Sequence, residues 1–198
     1  MNPIVDPGLA GRSPVQLAVQ NVVAAARIAD ALPLAVLVAK IPGAVLPKRS
    51  YPGIVLRLSS PQAVCHIYRS GKIVLKGFGS ADRLPGAFAS VVEVLRAAGI
   101  ALLEPVPEPR IINLVASGKF GERISLLRLA LALDLERVEY DPEQFAGLVY
   151  RADAGGVALI FASGAIVVMG MRSLDQAHVV LSEVEGVIDS VGAWQSCD

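Results

Sequence analysis

Two asparagines, Asn21 and Asn113, stand 92 positions apart, each opening a run of small apolar residues: Asn21-Val-Val-Ala-Ala and Asn113-Leu-Val-Ala-Ser. An asparagine in such a run offers two amide donors and little polar competition. Four aromatics recur at nearly the same interval, Tyr51 and Tyr68, then Phe145 and Phe161. Arg57 and Arg151 each follow the first aromatic of their pair. Rings, amide donors, aliphatics and a few cations perform no covalent chemistry. They suit the minor groove of DNA, where A·T pairs present only acceptors and G·C adds an exocyclic amino group. Aliphatic side chains fit a groove floor that lacks that group. Aromatics can wedge between base steps, and arginines can orient the protein on phosphates without reading sequence.

Other chemistries find no constellation. No Ser–His–Asp or paired-carboxylate arrangement can be built, so an enzyme is not the expectation. His66 and His178 lie far apart, without Cys, Asp or Glu at ligand spacing, so neither a metal nor a cofactor is called for. Carboxylates such as Asp82 and Glu93 fall on expected helix surfaces and read as solvated. Lys76-Gly-Phe-Gly79 starts like an RNA-recognition signature, but Ser80-Ala81 break it. Gly77-x-Gly79 lacks the Lys-Ser/Thr of a phosphate loop.

Composition narrows the field further. Of 198 residues, 54% are apolar and 18% charged, with a net charge of zero, which excludes global disorder and a binder held mainly by charge. Residues 1–105 carry 11 Lys+Arg against 5 Asp+Glu, and residues 106–198 carry 7 against 13. The split suits two ends meeting different partners; an unevenly charged solvated surface is the plainer account. Cys65 and Cys197 make no disulfide framework, and a reducing, cytoplasmic setting is expected. The first residues lack a signal-peptide pattern, and the apolar stretch from Ala31 to Pro47 is interrupted by Pro33, Lys40 and Pro42, too short and broken to span a membrane.

The elements that must position these residues occur twice. Tyr51-Pro-Gly-Ile-Val-Leu-Arg57 matches Phe145-Ala-Gly-Leu-Val-Tyr-Arg151, and Ile67-Tyr-Arg-Ser-Gly71 matches Ile160-Phe-Ala-Ser-Gly164. Each copy reads as an opening strand (near Gln20–Arg27; Ile111–Ser117), a short helix (near Pro33–Ala39; Ile124–Leu131) and a run of strands. These are Gly53–Leu58, Ala63–Arg69 and Lys72–Gly77, then Gly147–Arg151, Val157–Ala162 and Ala165–Gly170. A further strand is expected before the Tyr51 or Phe145 loop, as in Leu135–Tyr140. A longer helix closes each copy. Ser80-Ala-Asp82 is a candidate cap of the first, striped by Val91, Val92, Leu95 and Ile100. Ser173 is the candidate cap of the second, striped by Ala177, Val180, Leu181, Val184 and Val187. The expected organisation is a frayed tail over 1–15, repeats over 16–105 and 106–192, and a tail over 193–198.

Strand side chains alternate. One side of copy one carries Ile54, Leu56, Leu58, Ala63, Cys65, Ile67, Ile73 and Leu75 and must pack under helices. The other carries Asn21, Val23, Arg57, His66, Tyr68, Lys72, Val74 and Lys76, and in copy two Asn113, Val115, Arg151, Leu159, Phe161, Val167 and Met169. Four helices cover one face of such a sheet. The second face is then an exposed, largely apolar interaction surface. A sandwich or a dimer that buries both faces is the alternative.

These motifs resemble the TATA-box-binding proteins of archaea and eukaryotes over roughly Gln20 to Gly192. The likeness is carried by Gln20-Asn-Val-Val, Ser70-Gly-Lys-Ile-Val, Asn113-Leu-Val, Tyr140-Asp-Pro-Glu-Gln-Phe-Ala-Gly-Leu-Val-Tyr-Arg151 and Ile160-Phe-Ala-Ser-Gly164. The resemblance implies an α+β fold, a pseudo-twofold saddle whose two tandem repeats form a ten-stranded antiparallel sheet with four helices on the convex face. It implies a general transcription initiation factor that binds and bends A·T-rich promoter DNA through the minor groove. The resemblance also implies that inserted aromatics kink the duplex.

By position, the resemblance makes Asn21 and Asn113 minor-groove donors and Val23, Val74, Val115 and Val167 the groove floor. The wedges fall on Tyr51, Tyr68, Phe145 and Phe161, with Leu159 beside one, and Arg57 and Arg151 reach the backbone. Asp141, Glu143 and Gln144, before Phe145, fall where the family docks transcription factor B, and through it RNA polymerase. The chain departs from the family in having Tyr for Phe at both first-copy wedges, His66 for Leu, Lys76 and Met169 for Thr, and Ala165 for Lys. Gln144 replaces an apolar residue. A divergent paralogue would carry such changes, its apolar face serving as a protein-interaction module. The bare face would also let the free protein pair with itself. The implied location is the archaeal cytoplasm, on the nucleoid.

Overall fold

A computed structural model describes residues 14–47 and 51–195. The expected tail residues 1–13, Cys197 and the rest of 196–198 lie outside the described residues, as does the segment just before Tyr51. In chain order the elements are β1 (Ala18–Arg27), α1 (Leu34–Lys40), β2 (Ala44–Val45), β3 (Gly53–Ser59), β4 (Gln62–Tyr68), β5 (Lys72–Phe78) and α2 (Leu84–Ala97). They recur as β6 (Arg110–Lys119), β7 (Arg123–Ile124), α3 (Leu126–Ala132), β8 (Val138–Glu139), β9 (Gly147–Arg151), β10 (Val157–Phe161), β11 (Ala165–Met171), α4 (Leu174–Ser190) and β12 (Trp194–Gln195).

Ten strands make one antiparallel sheet in the order β2-β3-β4-β5-β1-β6-β11-β10-β9-β8, and β7 pairs with β12. The fold is α+β. The described residues divide into two compact units, one within 19–116 with 169–174, the other of 117–168 with 175–195 and 14–18. The cut differs from the repeat boundary because the start of β6 lies beside β1, and a Gly170 N–H donates to the Asn113 side chain in the same unit.

In the first unit Ile54, Leu56, Ala63, Cys65, Ile67, Ile73 and Leu75 are 0–4% exposed, as expected for a helix-covered face. Each such aliphatic side chain contributes about 1.5–3 kcal/mol by leaving water. Leu58 is only half-buried, near the end of β3. Burial pushes the Cys65 thiol up to about 12, so it packs as a small hydrophobe. Helix α2 buries Leu84, Ala87, Val91, Val92 and Leu95, one face at helical spacing. Ile100 lies beyond it, because the helix ends at Ala97 and Gly99 takes a φ of +77°. Ser80 does not cap the helix backbone: its hydroxyl donates to the Asp82 carboxylate, and a 3₁₀ turn over Ala81–Arg83 leads into α2.

The second unit buries Leu148, Tyr150, Ala158, Ile160, Ile166 and Val168 to 0–1% exposure. Helix α4 buries Ala177, Val180, Leu181, Val184 and Ile188, the last in place of the expected Val187. The expected strand Leu135–Tyr140 shortens to Val138–Glu139. Residues 193–195 do not fray: β12 pairs with β7, Ser125 N–H donates to Ala193 O at 2.8 Å, and the Trp194 ring stands edge-on to Phe120 at 5.2 Å.

Glu183 also departs from expectation. It is not a solvated helix carboxylate. It accepts hydrogen bonds from Tyr150 Oη (2.8 Å), Arg137 (2.8 Å), Asp153 N–H (2.9 Å) and Ala154 N–H (3.2 Å). Burial alone would raise its pKa. The bonds from Asp153, Tyr150 and Ala154, with the Arg137 charge, outweigh that and hold it below the ordinary 4.5. A depressed carboxyl stabilises above its unfolded pKa, and that stability is lost as pH falls through the folded one. Thermal melts should therefore weaken progressively below about pH 4.5. Glu183→Gln should cost about 1–3 kcal/mol at neutral pH and flatten that acid limb; an unchanged limb would exclude this account.

Candidate nucleic-acid interface

In the first unit, strand register sets rows across the uncovered face. Arg57, Val64, Lys76 and Val23 stand in one row, and Val55, His66, Val74 and Ala25 in the next. Tyr68 faces Gly53, and Lys72 faces Arg27. Val23, Ala25, Val64, His66, Tyr68 and Val74 are half-buried, while Arg57, Lys72 and Lys76 are exposed. Aliphatics thus share this face with three cations, Arg57 at the β3 side, Lys76 between Val64 and Val23, and Lys72 at the start of β5. Asn21, Asn113, Val115 and Met169 are half-buried in the same unit. The Asn113 Oδ1 accepts the Gly170 N–H at 3.0 Å. That bond occupies the amide oxygen and leaves the two NH₂ donors for other partners.

The second unit repeats the pattern with different side chains. Val149 faces Leu159, Arg151 faces Val157, and Gly147 faces Phe161. Leu159, Phe161 and Val167 are half-buried. Arg151 is not a free cation: it pairs with Glu139 at 3.5 Å, though both side chains are exposed, and such a pair is worth about 0–1 kcal/mol.

Each unit brings two of the four aromatics together. Phe145 and Phe161 meet edge-to-face, centroids 5.7 Å apart. Tyr51 and Tyr68 lie 6.3 Å apart, with their hydroxyls 3.2 Å apart. Tyr51 Oη also hydrogen-bonds His66 Nδ1. None of the four sits in the interior: Phe145 is 39% exposed and the others are half-buried. Burial lowers the His66 pKa, aided by the charges of Lys76 and Arg57, so its ring is neutral at pH 7. Burial, with the bond to Tyr68, raises that of Tyr51 to about 12.

The aromatics are held by backbone features that match between units. Gly71 N–H donates to Tyr68 O at 3.1 Å, and Gly164 N–H to Phe161 O at 2.9 Å. Both glycines have positive φ, and a side chain at either would strike the carbonyl of Ala29 or Glu122. Two positions that sequence reasoning passed over make room for the rings. A Cβ on Gly53 would lie 2.6 Å from Ile67 O and 3.1 Å from the Tyr68 ring. On Gly147 it would lie 2.7 Å from Phe145 and 2.9 Å from Phe161. Both glycines stand at the same place in the repeated motif, which is the signal that marks them.

The loop before Phe145 is self-organised. Asp141 O accepts the N–H groups of Gln144 and Phe145 at 3.1 and 2.9 Å. The Asp141 carboxylate accepts from Glu143 N–H at 3.1 Å and the Gln144 amide at 2.7 Å. Asp141 and Gln144 therefore shape the turn that presents Phe145, and Glu143 remains exposed. Leu127, Leu131 and Leu135, missed in the sequence, are 60%, 79% and 87% exposed at helical spacing on and just after α3. Among the described residues no group of three or more His, Cys, Asp or Glu could hold a metal, and no helix is long and apolar enough to cross a membrane.

The sequence matches the family model described as transcription factor TFIID (or TATA-binding protein, TBP) in two stretches, residues 16–98 and 108–190. The chain belongs to the TATA-binding protein family. That family is one of transcription factors, not of enzymes. The chain is 41% identical over 175 residues to TATA-box-binding protein 2 of Haloferax volcanii, covering 88% of this chain and 94% of the relative. It is 35% identical over 178 residues to the TATA-box-binding protein of Archaeoglobus fulgidus, covering 89% and 97%. The solved Methanococcus jannaschii TBP superposes with a TM-score of 0.78 at 35% identity, covering 88% of this chain and 99% of that one.

Within this family member the glycine platform is directly testable. Gly147→Ala should push Phe145 and Phe161 apart, abolishing ring–ring nuclear Overhauser contacts between them. The loss should be about 0.5–1.5 kcal/mol, the worth of the ring pair. Contacts that persist would show the rings do not depend on the missing side chain.

Proposed function

We propose that this chain is a transcription initiation factor that binds A·T-rich promoter DNA with the uncovered face of its sheet, entering the minor groove and bending the duplex. The observation that carries the reading is Asn113. Its oxygen is occupied by Gly170 N–H, which leaves its two NH₂ donors to serve acceptors on a bound duplex. A·T pairs offer only acceptors there, and flanking Val23, Val74, Val115 and Val167 suit a floor without amino groups. Asn21 is the matching donor of the first repeat. Tyr51, Tyr68, Phe145 and Phe161 are the wedges, and Arg57, Lys72, Lys76 and Arg151 meet the backbone; His66, Leu159 and Met169 complete the contact face.

Transcription factor B docks on the loop carrying Asp141, Glu143 and Gln144, with Glu143 the free carboxylate and the exposed leucines of α3 as apolar anchors. RNA polymerase is recruited through it. The protein works in the cytoplasm, on the nucleoid, and the same face is open to self-association when no DNA covers it. A second reading, an interaction module whose face is covered by another protein, is favoured by Arg151 being already paired with Glu139.

Fluorescence transfer across end-labelled A·T-rich duplex should rise on binding, and log affinity should fall with log salt less steeply than for a ten-phosphate binder. An Asn21→Ala/Asn113→Ala variant should lose about tenfold or more in A·T preference. Unbent DNA at every A·T-rich site, with or without transcription factor B, would reject the reading. Partner capture that survives the double substitution while DNA is ignored would favour the interaction module.

A further inference from the structure

The two repeats differ most where their rings gather. Phe145, Leu159 and Phe161 carry no polar side-chain atom, whereas the matching positions of the first repeat are Tyr51, His66 and Tyr68. These three form one hydrogen-bonded chain. His66 Nδ1 meets Tyr51 Oη, and Tyr51 Oη meets Tyr68 Oη at 3.2 Å. The other ring nitrogen, His66 Nε2, is buried and has no partner. The chain is thus closed at its histidine end, and its outer terminus is the hydroxyl of half-buried Tyr68.

A neutral imidazole has one donor and one acceptor nitrogen, and each phenol can donate once and accept. The chain can therefore run in two directions. When Nδ1–H donates, Tyr51 donates to Tyr68, whose O–H points outward and serves an acceptor. When Nδ1 accepts, Tyr68 donates inward and turns oxygen lone pairs outward, serving a donor. The first state matches A·T pairs in the minor groove; the second matches the exocyclic amino group that G·C adds. An apolar Phe–Leu–Phe cluster can do neither and leaves that amino group unsatisfied.

Resting on the minor-groove reading, we propose that Tyr51, His66 and Tyr68 are specificity residues that let the base pairs against the first repeat be G·C as readily as A·T. The Phe145–Leu159–Phe161 cluster confines its own base pairs to A·T. The preferred site is then lopsided, which gives the bound protein a direction on DNA.

The test is selection from random duplexes, using the full chain, a Tyr51→Phe/His66→Leu/Tyr68→Phe variant, and a Tyr68→Phe variant that removes only the terminal hydroxyl. Wild type should enrich sites that are A·T-rich in one half and tolerate G·C in the other. Both variants should discriminate against G·C by about tenfold in that second half and be unchanged in the first. Variants that enrich the same sites as wild type, or a wild type equally intolerant of G·C in both halves, would overturn the proposal. Enrichment of no duplex by any of the three would instead sink the minor-groove reading, and this proposal with it.

Discussion

A β-strand presents side chains to two sides, and a helix layer can dry only one of them. In each unit here the covered side holds residues such as Ile54, Ile67, Leu148 and Ile160 at 0–1% exposure. The opposite side holds aliphatics that water reaches in part: Val23, Val64 and Val74 in one unit, Val149, Leu159 and Val167 in the other. Leaving them so forgoes the favourable transfer that the covered side gains. A soluble fold could replace such residues with threonine or lysine at no cost to its core. Their presence over many strand positions is what the proposed DNA contact accounts for. The polar groups on it follow from the same constraint. Asn113 must settle its oxygen locally, on Gly170, if its donors are to be spent on something else.

Much of this was legible in the sequence because repetition and alternation are both periodic. The offset of 92–94 residues aligned Asn21 with Asn113 and the two aromatic pairs, and the period of two separated the faces. What escaped lacks a period. Strands β7 and β12 are two residues each, too short to alternate, so Trp194 read as tail. Glu183 lies on a helix face whose rotation against β9 depends on packing 33 residues away, and only that rotation brings it to Tyr150. Ile188 replaces Val187 because eleven residues make about three full turns, which sets Ile188 in line with Ala177 and leaves Val187 to one side. The turn that Asp141 builds with Gln144 also escaped, although an aspartate at the start of a tight turn commonly bonds its own backbone. His66 and Tyr68 fall on one strand face and Tyr51 in the loop before β3, and neither placement reveals that the Tyr51 hydroxyl meets both.

The repeats keep their backbone in common while their side chains diverge, and where divergence is tolerated follows from burial. Gly71 and Gly164 close the same turns, and their carbonyls accept the equivalent N–H groups of Ile28 and Phe120, both at 2.9 Å. On the covered side a change of chemistry demands compensation. Tyr150 stands where the first repeat has Leu56, and its hydroxyl is satisfied by Arg137 at 2.6 Å and Glu183 at 2.8 Å, two charges brought from other elements. On the uncovered side Tyr51 and Tyr68 replace the phenylalanines of the other copy with no ion pair recruited. Each hydroxyl finds its partner in the next changed residue, and the ring pair lies at 6.3 Å where the phenylalanines meet at 5.7 Å. A face that core packing does not police can alter its hydrogen-bonding character in three substitutions and keep its fold. The same freedom explains why the cations differ as well: Lys72 and Lys76 of the first copy correspond to Ala165 and Met169 of the second. The same backbone pattern, used twice, therefore carries two chemically different surfaces.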